Sequence, residues 1–275
     1  MHRQNEHGTL WRLIDTGPCC GRENMAIDEA LFRCFDPAAS RPVLRLYGWQ
    51  PPALSLGRFQ KAGDDLDLTR CKADNLTVVR RITGGGAIWH ADELTYSLVC
   101  APSQIPPAAS VKDSFRVLTS FLLGFYHALG LQADYAVDLA PVGSRLGQRT
   151  PLCFAGKESY DIMLHGRKIG GNAQRRSREI IFQHGSIPLQ NRVEQGLQYL
   201  KVRPQGLEQA TTCLVDEGIA VACADLKQIL LQQFAGRLGA ELQLGGLTGQ
   251  EQALSEQLMT EKYGDDCWNL EGEEP

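Results

Sequence analysis

SYDIMLHGRKIGGNAQRRSREIIFQHGSIPL, residues 159–189, holds the strongest clue to the architecture. SYDIML and RKIGGNAQ flank the dipeptide His165-Gly166, and glycine takes positive φ readily, so the pair predicts a tight turn between two strands. EIIFQHGSIPL then continues the same sheet. Successive hairpins, rather than strands alternating with helices, predict an α+β fold with a mostly antiparallel sheet flanked by helices.

On the N-terminal side of this stretch, LTYSLVC (94–100) alternates as a strand, LTVVRRI (76–82) is another that runs into TGGGAIWH (83–90), and VLRLYGW (43–49) and ALSLG (53–57) are two more. Pro51 and Pro52, which cannot donate to a ladder, mark the connection between the last two. ENMAIDEALFRCF (23–35) places Ile27, Leu31, Cys34 and Phe35 on one helical face. Ser110 and Asp113 form a capping pair ahead of FRVLTSFLLGFYHALGL (115–131), whose Val117, Leu118, Phe121, Leu122 and Phe125 make a helical stripe. Residues 129–156 show no strong periodicity and read as a long loop, of a length that raises suspicion of function. Leu226, Ile229, Leu230 and Phe234 mark a later helix, and Thr248 with Glu251 begins a last one. Strands are therefore expected in the middle of the chain, with 1–200 as a catalytic core and 201–275 as the helical end of a single domain spanning 1–275.

Hydrophobic residues at 43% and charged residues at 22% are ordinary for a soluble globular protein, and no apolar run approaches the ~18 residues of a membrane span. MHRQNEHGTLWRLIDTG lacks a signal-peptide core, which predicts a cytoplasmic protein. With 28 basic and 32 acidic residues the net charge is 28 − 32 = −4, giving no general attraction to nucleic acid. The nine cysteines, at 19, 20, 34, 71, 100, 153, 213, 223 and 267, lack CxxC pairing, so most are expected to be small buried hydrophobes.

Three features carry chemistry. Three glycines after a strand let backbone approach a ligand, with Arg80 and Arg81 adding local positive charge, although a Gly triplet is also an ordinary turn. Lys168 sits in a strand. If it points into an apolar cleft it can meet an acyl carbonyl or phosphate; otherwise it is a solvated surface lysine. Cys153 is a nucleophile only if a neighbouring group lowers its pKa from ~8.5, and is otherwise a structural thiol. His90 and His184 follow Gly-containing segments without metal-ligand spacing, and His165 reads as turn surface.

Together, RRITGGGAIWHADELTYS, GRKIGGNAQRR and QHGSIPL resemble the signature blocks of the lipoate-protein ligase A family, which is related to biotin ligases. NMAIDEAL and the tail LTGQEQALSEQLMTEKYGDDCWN resemble it as well, so the likeness covers nearly the whole chain. It implies an α+β fold of the biotin/lipoate ligase type in which a TGGG loop and a catalytic lysine enclose an eight-carbon acyl chain. Arg81, Thr83, Gly84, Gly85, Gly86, Ala87, Ile88, Trp89 and His90 match the acyl or acyl-adenylate contacts, Lys168 matches the catalytic lysine, and Gly171, Asn172 and Ala173 would line the same cleft. CFAGKESY is similar to a block of the single-domain octanoyltransferase branch, in which Cys153 corresponds to the nucleophile.

The resemblance implies transfer of octanoate from octanoyl-acyl carrier protein, through a Cys153 thioester, to a lysine of a lipoyl carrier domain such as the glycine cleavage H protein or a 2-oxoacid dehydrogenase E2. That route needs no cofactor or metal, and no nucleic acid or membrane partner. An ATP-dependent lipoate-protein ligase lacking the classical accessory domain would instead use ATP and Mg2+, with Lys168 and Arg81 on an acyl-adenylate. An octanoyl amidotransferase between lipoyl domains and a non-catalytic acyl-carrier binder are further readings.

Overall fold

The computed structural model describes residues 8–141 and 158–274. Its first elements are β1 (Thr9–Cys19), α1 (Gly21–Cys34), β2 (Val43–Trp49), β3 (Ala53–Leu56), the short helices α2 (Ala62–Asp65) and α3 (Leu68–Ala73), β4 (Thr77–Arg80), β5 (Ile88–His90) and β6 (Glu93–Cys100). Next come α4 (Val111–Ala128), β7 (Ala133–Tyr135), α5 (Ala136–Leu139), β8 (Ile162–Leu164), β9 (Arg167–Arg176) and β10 (Ile181–Pro188). α6 (Val193–Leu197), α7 (Leu207–Ala210), α8 (Cys223–Leu238), β11 (Ala240–Leu244), α9 (Gly249–Glu261) and a π-turn at Cys267–Glu271 complete them.

The hairpin at His165-Gly166 forms as expected. Both residues take positive φ, 49° and 79°, and close β8 onto β9. β9 then pairs antiparallel with β10, and β10 with β6. The main sheet runs β11-β1-β2-β6-β10-β9-β8-β7, and a smaller one runs β4-β3-β5. The large sheet is mostly antiparallel; only β11 on β1 and β1 on β2 run parallel.

One face of the large sheet carries α4 and α8, where Tyr96, Leu98, Phe121, Phe125 and Phe234 join one apolar core. α4 begins at the cap read from sequence, with Ser110 Oγ accepting from Asp113 N at 3.1 Å. The other face carries α1, whose Ile27 and Leu31, with Phe35 just beyond them, pack on Val43, Val99 and Phe182. α9 lies on α1, and its Thr248–Glu251 capping box is present. Glu251 also accepts from Arg12 Nη1 at 2.8 Å, fastening α9 to β1.

Three expectations change. Strands are not confined to the middle: β2 to β10 lie between 43 and 188, but β1 and β11, from opposite ends of the chain, form one margin of the large sheet, so the stretch after 200 is not purely helical. Residues 129–156 are not all loop, because β7 and α5 occupy their first part; a three-residue strand with only Ala133 and Tyr135 buried is too short to show a period. Of the eight described cysteines, all free, only Cys71, Cys100 and Cys213 are buried, while Cys223 and Cys267 are exposed. Among the described residues no helix is long and apolar enough to cross a membrane.

Candidate active site

The glycine loop 83–86 joins β4 to β5 and is held from below. Gly85 has φ of 98°, and the backbone of Gly57 passes so close that a Cβ there would collide with the Gly85 carbonyl. Arg81, 1% exposed, turns inward under the loop and donates to Gly84 O at 3.1 Å and Gly86 O at 3.0 Å. Arg80 turns the other way, donating to the carbonyls of Gly57, Arg58, Gln60, Trp268 and Leu270. The expected local positive charge is therefore not displayed as an exposed anion site: both guanidiniums are folded into backbone carbonyls, which fixes the loop's shape.

Across from the loop, β9 and β10 complete a cleft of about 370 Å³ lined by Tyr47, Trp49, Arg81, Ile88, His90, Thr95, Gly171, Asn172, Ala173, His184, Gly185 and Ser186. The register explains part of this set: Gly171, Ala173 and their cross-strand partners Ser186 and His184 share one face of the sheet, whereas the Asn172 side chain turns to the other, against Tyr96. Gly185 is required by crowding, since a Cβ there would strike Asn172 Oδ1 and come within 2.7 Å of Tyr96 Cε1. Asn172 Oδ1 accepts from Tyr96 OH at 2.7 Å, whereas its amide nitrogen is buried with no hydrogen-bond partner among the described residues.

Lys168 is not a solvated strand lysine. It is 1% exposed and its Nζ lies 2.7 Å from Asp161 Oδ2. A Cβ on Gly171, in the cleft wall, would stand 3.4 Å from that Nζ, so the ammonium reaches the cleft at this point. Burial raises the Asp161 carboxyl above the ordinary carboxylate value even though Lys168 opposes it.

Two buried carboxylate–imidazole–hydroxyl chains brace the cleft, and neither is visible as a motif. In the first, Glu93 Oε1 is 2.8 Å from His90 Nδ1, and His90 Nε2 is 2.6 Å from Ser55 Oγ, to which Arg81 Nη1 donates at 2.8 Å. Glu93 also accepts from Ser186 Oγ at 2.7 Å, tying the loop wall to the β10 wall. Burial alone would raise the Glu93 carboxyl, but His90, Thr95 and Ser186 hold it below its ordinary value. The ring of Trp49 stacks on His90 with centroids 3.7 Å apart.

In the second chain, Thr83 Oγ1 lies 2.7 Å from His184 Nε2, and His184 Nδ1 lies 3.8 Å from Asp28 Oδ2. Asp28 accepts from Arg45 at 2.8 Å, Tyr47 at 2.9 Å and Ser97 at 2.7 Å. Burial lowers the His184 pKa from its usual 6.5, with Asp28 opposing and Arg81 assisting, so this imidazole is neutral at pH 7. A histidine whose folded pKa is depressed binds its proton more readily in the unfolded chain, so it lowers stability as pH falls through 6.5 toward the folded value. Melting temperature should therefore drop on acidification below pH 6.5, and His184→Gln should flatten that slope; an unchanged slope by calorimetry would refute the assignment.

The site residues read from sequence thus separate. Arg81, Ile88, His90, Gly171, Asn172 and Ala173 line one cleft, Thr83 touches it through His184, and Gly84 to Gly86 form the loop braced by Arg81. Trp89 points to the other face of β5 and stacks on Tyr199 with centroids 5.6 Å apart, and Ala87, just ahead of the strand, is buried in the same core beside the small sheet. Cys153 lies outside the described residues. Sequence reading missed Asp161, Glu93, Ser55 and Asp28. Asp161, just ahead of the β8–β9 hairpin, looks like any surface acid until the two strands pair and bring it onto Lys168.

Residues 20–242 match the family model described as lipoyl protein ligase A/B catalytic domain. An octanoyltransferase LipM of Kyrpidia tusciae is 37% identical over 269 residues, covering 94% of this chain and 98% of the relative. An octanoyltransferase LipM of Geobacillus kaustophilus is 34% identical over 278 residues, covering 95% and 98%. Among solved structures, lipoate-protein ligase A bound with ATP superposes with a TM-score of 0.78 at 23% identity, covering 96% of this chain and 98% of that one, a likeness of fold. The chain belongs to the lipoyl protein ligase A/B catalytic domain family.

Proposed function

We propose that this chain is an octanoyltransferase of protein lipoylation. The observation that carries the reading is the 37% identity to an octanoyltransferase LipM over 94% of the chain. The cleft supports it: a largely apolar space, with the Arg81 guanidinium folded onto the glycine loop and the Lys168 ammonium beside Gly171, suits an acyl chain ending in a carbonyl.

In this reading the donor is octanoyl-acyl carrier protein. The Cys153 thiolate attacks the thioester carbonyl, a new C–S bond forms, and the pantetheine thiolate leaves and takes up a proton. The amine of a lysine on a lipoyl carrier domain, that of the glycine cleavage H protein or a 2-oxoacid dehydrogenase E2, then attacks the Cys153 thioester. An amide forms, the C–S bond breaks, and the proton lost by the amine passes to the Cys153 sulfur. Lys168 is a side-chain donor suited to the carbonyl oxygen as charge develops on it. Two of the described thiols are poor competitors for the nucleophile's role, since burial pushes Cys71 up to about 11 and Cys100 up to about 12.

The test is the intact mass of the protein after octanoyl-acyl carrier protein is added without ATP, in wild type and Cys153→Ser. A thioester-labile octanoyl adduct is expected on the wild type, and transfer should fall at least ~1,000-fold in the variant. ATP-dependent loading of a lipoyl domain by both proteins, with no adduct on either, would overturn the reading in favour of a ligase.

A further inference from the structure

A second, partly open cavity, of about 530 Å³ including the space continuous with solvent, lies beside the cleft. Trp89, Pro188, Val193 and Leu207 make its apolar wall. Its buried end is Thr211 and Thr212, 1% and 2% exposed, and its open end is at Asn191. The buried end adjoins Lys168: Thr211 bridges to Lys168, and Thr212 N donates to Lys168 O at 3.0 Å. Glu93 lines this cavity and Ser186 lines the cleft, so their 2.7 Å hydrogen bond is part of the partition between the two spaces. Lys168 is therefore a neighbour of both spaces, of the cavity through its main chain and of the cleft through its ammonium beside Gly171.

Trp89 is held firmly in that wall. It stacks on Tyr199, and a Cβ on Gly196 would collide with it. Its indole nitrogen is nonetheless buried with no hydrogen-bond partner among the described residues. A buried donor left unpaired is unfavourable, and one in a cavity wall is suited to an acceptor on a ligand.

We propose, resting on the octanoyl-transfer reading, that this cavity binds the pantetheine arm of the acyl donor. With the octanoyl chain in the cleft and its carbonyl at Lys168, the rest of the donor has to leave on another side, and this cavity begins there. The arm is linear, with methylene segments for the apolar wall and two amide carbonyls, one of which accepts from the Trp89 indole N–H. Its phosphate end emerges toward Asn191.

The experiment is calorimetric titration of wild type, Trp89→Phe and Val193→Phe with two probes. One is octanoyl-pantetheine with an amide in place of the thioester, which cannot acylate a cysteine; the other is N-ethyl octanamide, which lacks the arm. The arm should tighten binding to the wild type at least ~10-fold, and Trp89→Phe should lose about fivefold of that gain, the worth of one hydrogen bond, with the short amide unaffected. Val193→Phe, at a half-buried position, should fill the cavity and remove the gain. Equal binding of the two probes by the wild type, or equal weakening of both by Trp89→Phe, would overturn the inference. ATP binding that the pantetheine probe fails to displace, lost in Val193→Phe, would also overturn it and assign the cavity to a nucleotide. Failure of the transfer reading is separate: the Cys153 mass experiment would then show no adduct.

Discussion

Lys168→Met is expected to lower acyl transfer about 1,000-fold while leaving a folded protein. The methionine keeps much of the length and apolar stem of the side chain and removes the ammonium. In the wild type that ammonium is 1% exposed and 2.7 Å from Asp161, so it reaches the cleft with its direction set by a carboxylate. Removing one partner of a buried pair commonly costs about 3–5 kcal/mol. Here the loss is smaller than that range, because burial already raises the Asp161 carboxyl and it can take a proton once the cation is gone. Asp161→Asn is the companion variant: it keeps the ammonium, disturbs its aim, and should lower turnover less than Lys168→Met. Transfer by Lys168→Met at more than a tenth of the wild-type rate, measured at equal folded fraction, would reduce Lys168 to a structural ion pair.

The largest stability effect is expected at Arg45, which no sequence motif marks. Arg45 is 0% exposed and donates to Asp28 at 2.8 Å, to Asn24 Oδ1 at 2.7 Å and to Thr16 Oγ1 at 3.0 Å. Arg45→Met leaves the Asp28 carboxylate buried beside Tyr47 and Ser97 without its cation, at a cost of about 3–5 kcal/mol. For a chain of this size that corresponds to a fall of roughly 10 °C in melting temperature. Asp28→Asn in the same chain should recover part of the loss, since the uncompensated charge goes with it. A single Arg45→Met variant within about 1 kcal/mol of wild type would show that the pair does not hold the α1 face of the sheet.

Much of the molecule was legible because its signals are local. The His165-Gly166 turn needs only two residues able to take positive φ, and the caps at Ser110 and Thr248 need only a hydroxyl three residues before an acid. The α4 stripe is a period within one segment. The family likeness was legible for a similar reason: its blocks are short runs in a set order.

What stayed hidden depends on partners far apart in the chain. β1 and β11 pair across more than two hundred residues, and a strand at the margin of a sheet carries no stronger pattern than its neighbours. Arg80 and Arg81 read alike in sequence, yet alternation sends one into the C-terminal carbonyls and the other beneath the glycine loop. Trp89 and His90 read as one block and open onto different spaces, because β5 is extended and adjacent side chains point to opposite faces. Hairpins, capped helices, the glycine loop and the family were all present in the order of the amino acids. The burial of Lys168 against Asp161, and the Glu93–His90–Ser55 and Asp28–His184–Thr83 chains that brace the cleft, came into being only when distant strands met. Local pattern records which face a residue occupies, and burial together with long-range hydrogen bonding decides what that residue meets there.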